Sequence, residues 1–150
     1  MHKVFTRGSV FVQEDFKFRD ETTGKKILVL LNRPTGNDPY VVVKTTSQQH
    51  SKPKTSGCIQ KYHQAFFIAA KRPFFHKDTW IQLDDLFLLS NTHMRNKVQH
   101  IGDLDSKTAD SIVNCFLKIN EQDLSPKVRG YIIPPIAQGI NALANKFNRR

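Results

Sequence analysis

A mainly β member of the α+β class, built on a small, strongly bent sheet or barrel, is the fold this sequence predicts. Three observations carry that expectation. Short apolar, β-branched runs separated by Gly, Pro, Asn and Asp recur between Gly8 and Ser90. A helical stripe follows them, with Ala109, Ile112, Val113, Phe116 and Leu117 spaced for one face of Ser106 to Ile119. Strands followed by helices in one chain of 150 residues fit a single α+β domain with a core of its own.

The elements follow in order. Gly8 is a turn residue leading into GSVFV, and Phe16 and Phe18 alternate before the charged, turn-like Arg19 to Gly24. Ile27 to Leu31 and Tyr40 to Val43 are strands flanking a loop with Arg33, Pro34, Gly36, Asn37, Asp38 and Pro39. His50 to Gly57, rich in Ser, Lys and Pro, is a surface loop. Tyr62 to Ala70 fits a strand or a buried helical turn, its place between two loops favouring strand. Pro73 prevents a regular helix in Lys71 to Lys77. Asp78 to Leu83 alternates as a strand, Asp84 to Ser90 suits a strand or one helical turn, and polar Asn91 to His100 reads as a connector. Asp105 or Ser106 caps the helix that runs to Ile119. Pro134 to Arg150 offers a second stripe, Ile136, Ile140, Leu143, Ala144 and Phe147, weakened by Gly139.

Charge is uneven. Residues 1–77 carry 14 Lys and Arg against 5 Asp and Glu, whereas residues 78–150 carry 9 against 8. The basic half suits nucleic acid or an acidic protein. Cys58 and Cys115 sit in no metal-ligand or CxxC spacing and read as small buried hydrophobes, so a reduced, cytoplasmic chain is expected. No apolar run reaches membrane-spanning length, and the N-terminus lacks the apolar centre of a signal peptide.

The chemistry concentrates at Lys25 to Gln48. If its two strands pair antiparallel, the start of one lies beside the end of the other. Lys25 and Lys26 then meet Lys44, Thr45, Thr46, Ser47 and Gln48, cations and hydroxyls suited to phosphate oxygens. Arg19 and a second basic cluster, Lys71, Arg72, His76 and Lys77, are candidates to join them, with His76 a possible acid or base. His50 and His63 read as ordinary surface or core histidines. Phe66, Phe67, Phe74, Phe75 and Trp80 read as core, stacking on unpaired bases being the alternative.

The order of these motifs resembles the PemK/MazF family of type II toxin–antitoxin toxins. The likeness is carried by Gly8 to Val12, Arg19 to Gly24, Lys25 to Leu31, the Thr-Thr-Ser-Gln ending of Val41 to Gln48, and KDTWIQLDDLFLL with HIGDLDSKTADSIVNCFLKI. It covers roughly residues 4–119, giving a barrel domain over residues 1–120 and a helical extension over 121–150 packed on it. It implies an SH3-like barrel of the PemK/MazF/CcdB type with a C-terminal helix and an additional helical tail. It also implies a homodimer that cleaves single-stranded RNA without metal or cofactor and is held by an acidic antitoxin. The family pairs an Arg before the second long strand with a Thr or Ser ending the next. The latter falls on Thr46, whereas the family's Arg-Pro is Lys26-Ile27 here. Lys26 and Thr46 are thus the expected catalytic pair, with Arg19, Lys25, Lys44, Thr45, Ser47, Arg72, His76 and Lys77 around the RNA. Lysine supplies charge without the planar two-pronged donor set of arginine. The competing expectation is a non-catalytic barrel that binds a protein, as gyrase-binding relatives do, or a nucleic acid.

Overall fold

The structure is a computed structural model and describes residues 5–48, 52–60, 63–70 and 75–133. Arg72, His50, Phe74 and the helical tail expected over Pro134 to Arg150 lie outside the described residues. The strands are β1 (Ser9–Lys17), β2 (Thr23–Leu30), β3 (Tyr40–Thr46), β4 (Gly57–Ile59), β5 (Ala65–Ile68), β6 (Thr79–Gln82), β7 (Phe87–Leu89) and β8 (Gln99–Asp103). The helices are α1 (Asn91–Lys97), α2 (Ser106–Ile119) and α3 (Pro126–Ile132). All strand pairs are antiparallel, in the order β4-β5-β6-β3-β2-β1-β8, with β7 also on β3. The fold is therefore mainly β within the α+β class, and the path of strands ends at two edges, β4 and β8, without closing.

Strand β3 bends the sheet because it has two partners on one side. Its first residues pair with β7, Tyr40 to Leu89 and Val42 to Phe87, while its last pair with β6, Thr45 to Ile81 and Thr46 to Trp80. One face of the sheet buries Val10, Val29, Val41, Val43 and Ile81 against Ile112, Val113 and Phe116 of α2, with Ile132 of α3 joining them. The other face gathers Phe11, Phe16, Leu28, Leu30 and Val42 beneath Met94 of α1. Buried Asn32 holds the β2–β3 connection, its amide donating to the Pro39 carbonyl and accepting from the Val41 N–H.

Helix α1 stands where a polar connector is expected. Met94 is its single buried residue, too little to show a period, but the Ser90 hydroxyl caps it by accepting from the His93 N–H. Helix α3 opens on a Ser125 cap with Pro126 in its first turn.

The cysteines correct a second expectation. Cys58 and Cys115 form a disulfide joining β4 to α2, across 57 residues of sequence that give no spacing signal. Their reading as free hydrophobes fails, and with it the ground for a reduced chain. No described helix is long and apolar enough to cross a membrane.

Gly8 meets two demands. Its φ is +91°, and a Cβ there would lie 2.7 Å from the Ala109 Cβ on α2, between backbone bonds to Leu30 and Leu104. Gly8→Ala should lower stability by at least about 2 kcal/mol in chemical denaturation, because strain and overlap add. A midpoint equal to wild type would show that α2 is not seated this closely.

Candidate functional site

Strands β2 and β3 are in ladder contact from Leu28↔Lys44 to Leu30↔Val42. Continued by two residues, that register sets Lys26 level with Thr46, where β3 has turned to pair with β6. Two side chains bridge the opening. The Lys26 ammonium donates to the Thr45 carbonyl at 2.9 Å, and the Thr45 hydroxyl donates to the Ile27 carbonyl at 2.9 Å. These two bonds tie β2 to β3 beyond the last pair of their ladder.

An open cleft of about 240 Å³ forms there, lined by Lys25, Lys26, Thr45, Thr46, Ser47 and Thr79 among others. Among the described residues, the lining holds two ammonium groups and four hydroxyl-bearing side chains but no carboxylate. Such a set attracts and orients an oxyanion. Lys26 uses one donor on Thr45 and has two left. The Thr46 hydroxyl accepts from the Gln48 N–H at 3.2 Å, so its own proton remains for a ligand. Partial burial, with Lys44 nearby adding like charge, pushes the Lys26 ammonium below its usual 10.5.

The other sequence candidates divide. Lys25 and Ser47 line the cleft and are exposed. Thr45 lines it too, yet is buried with its hydroxyl engaged on Ile27. Lys44 lies outside the lining, its ammonium 5.9 Å from the centre of the Phe87 ring. Arg19 covers the same ring at 5.2 Å and grips Asp85 through two bonds of 2.8 and 2.6 Å. His76 and Lys77 are exposed in the segment entering β6 and do not line the cleft, although the Lys77 carbonyl accepts from Thr79 of the lining.

Comparison with protein-family models finds none that matches the chain, and comparison with curated proteins finds no match.

The described aromatics expected in the core are found there. Phe66, Phe67, Phe75 and Trp80 are buried in the core. Those beside the cations are Phe18, 5.7 Å beneath the Lys26 ammonium, and Phe87 under Arg19 and Lys44. Thr79 was equally silent, because its place in the lining depends on β6 pairing with the end of β3. The alternation of Phe16 and Phe18 into a charged loop was the one available signal for Phe18. Among the described residues no group of three or more His, Cys, Asp or Glu is placed to hold a metal ion.

Proposed function

We propose that this chain is a PemK/MazF-like toxin of a type II toxin–antitoxin pair, an SH3-like barrel that cleaves single-stranded RNA without a metal. The supporting observation is that Lys26 and Thr46 share one carboxylate-free cleft where β2 and β3 part. The resemblance in motif order adds a homodimer, an acidic antitoxin drawn to the basic half, and action in the cytoplasm.

In this reading a phosphodiester lies in the cleft. The Thr46 hydroxyl and Lys26 ammonium hold its non-bridging oxygens as charge grows on phosphorus. The 2′-hydroxyl gives its proton to solvent water acting as the base, and its oxygen attacks phosphorus. The bond to the 5′-oxygen breaks, and that oxygen takes a proton from water while the Lys26 ammonium stabilises the charge on the phosphoryl oxygens. The products are a 2′,3′-cyclic phosphate and a 5′-hydroxyl.

A cationic Lys26 is needed, and raising pH through its depressed pKa removes the charge. Cleavage should therefore fall on an alkaline limb below 10.5. Lys26→Arg should keep activity across that limb, since guanidinium stays charged; an unmoved limb would assign it to another group.

The second reading, a non-catalytic barrel that holds a protein or nucleic acid, is favoured by the bond from Lys26 to the Thr45 carbonyl, which gives the lysine a purely structural use. Incubating the protein with total RNA in excess EDTA separates them. Fragments support the ribonuclease; intact RNA with growth arrest on expression supports the binding module.

A further inference from the structure

Trp80, the one tryptophan of the chain, is 1% exposed in β6. Part of its cover comes from β4, whose Ile59 joins Trp80, Ala65 and Phe67 in a small apolar cluster apart from the main core. The irregular segment ahead of β4 reaches the same residue, the Pro53 carbonyl accepting from the Trp80 indole N–H at 2.9 Å. Lys54 pairs with Asp78 at 3.1 Å, and the Lys52 ammonium donates to the Gln48 carbonyl at 3.2 Å. Residues 52–59 thus form a strap fastened at Gln48, Asp78 and Trp80. Gln48 and Thr79 line the cleft, Thr79 stands between Asp78 and Trp80, and Trp80 is the ladder partner of Thr46.

The disulfide holds the other end of this strap. Strand β4 has three residues, with β5 its one ladder partner among the described strands, and the polar fastenings of Lys52 and Lys54 face solvent, where such bonds are weak. The covalent tie from Cys58 to Cys115 of α2 is therefore the strongest constraint on β4. Its two ends differ in access. Cys115 is 3% exposed, whereas Cys58 is exposed. Exchange needs an incoming thiolate to reach one sulfur of the bridge, and that approach is open on the Cys58 side.

We propose that the Cys58–Cys115 disulfide is a redox switch for the cleft, which is assembled in the oxidised protein and loosened when a dithiol reduces it. The inference rests on the ribonuclease reading above for what the cleft does and where the chain acts, and adds its regulation. In a compartment kept reduced by thiols, a disulfide serves more often as a sensor than as a permanent staple. One thiolate of the dithiol bonds to the Cys58 Sγ, the bond to Cys115 breaks, and Cys115 leaves as a thiolate that takes a proton from water. The second thiolate of the dithiol then displaces Cys58 from the mixed disulfide. Two electrons have passed to the protein, which ends with two thiols, and the dithiol ends as its own disulfide. Strand β4 is left on its short ladder, Ile59 and Pro53 draw away from Trp80, and Thr79 beside it and Thr46 opposite it lose their fixed positions.

The test compares wild type with the Cys58→Ala, Cys115→Ala double variant, each with and without dithiothreitol, below the melting temperature of the reduced protein. Trp80 is the internal reporter. On reduction of wild type its emission should move to longer wavelength and its quenching by acrylamide should rise, while far-UV circular dichroism is unchanged. Reoxidation with glutathione disulfide should reverse both, and the double variant should show the reduced values in either condition. Unmoved emission and quenching overturn the switch. Loss of the far-UV signal together with the shift also overturns it, since the bridge would then hold the whole fold. The same four samples then cut single-stranded RNA in EDTA. Wild-type cleavage should fall by at least about tenfold on reduction, the scale of displacing reacting groups, with the double variant at the reduced level throughout. Equal cleavage in both states overturns the switch and leaves the ribonuclease standing. RNA left intact in both states ends the ribonuclease reading, and the switch is then read from the Thr46 and Thr79 amide resonances, which should shift on reduction; unmoved resonances overturn it.

Discussion

Replacing Lys26 with Met and Thr46 with Val together is expected to lower RNA cleavage by at least about a thousandfold, the scale of losing charge and hydrogen-bond stabilisation at a transition state. The fold should survive. The Lys26 aliphatic stem is retained by Met, and the lost bond to the Thr45 carbonyl is worth about 1 kcal/mol, partly offset by removing a half-buried charge near Lys44. Valine keeps the β-branched shape that pairs with Trp80. The single variants should each lose less, and their effects should fail to add, because both groups act on one phosphate. Gel assays with matched circular dichroism melts check this. Undiminished cleavage by the folded double variant would move the active centre elsewhere.

Removing the disulfide should produce the largest change in stability. Cys58 lies in β4, an edge strand of three residues whose one ladder partner among the described strands is β5, and Cys115 is buried in α2. Closing a loop of 57 residues stabilises by about 4 kcal/mol in the chain-entropy account. Cys58→Ala with Cys115→Ala should therefore lower the melting temperature by roughly 10 °C for a chain of this size. A thiol reductant should lower the wild-type midpoint by a similar amount and leave the double variant unmoved. Equal melting of all four samples would mean that β4 is held by its ladder and not by the bridge. Because β5 carries β4 on one side and β6 on the other, reduction should loosen β4 before it reaches Thr79 in the cleft.

Much of this was legible in the residues, and the reasons differ by element. The pairing of Leu28 with Lys44 follows from two β-branched runs and a Pro- and Gly-containing loop, which is why lysines meet hydroxyls at one sheet end. Helix α2 showed its stripe, and Asp105 caps it by accepting from the Thr108 N–H. Helix α1 could not be seen, since one buried methionine has no period. The disulfide was equally invisible, because chain topology brings Cys58 to Cys115 and their spacing does not. Gln13 gave no sign either. Its burial depends on α1 delivering His93. Side chains whose role comes from a third or fourth strand are the ones that sequence patterns miss.

The most direct test is the chemistry at the broken bond. Single-stranded RNA should be incubated with wild-type protein in excess EDTA and the fragment ends identified by mass spectrometry. Attack by the 2′-oxygen in a cleft held by Lys26 and Thr46 predicts a 2′,3′-cyclic phosphate on one fragment and a 5′-hydroxyl on the other. RNA left intact, or fragments ending in a 3′-hydroxyl and a 5′-phosphate, would contradict it.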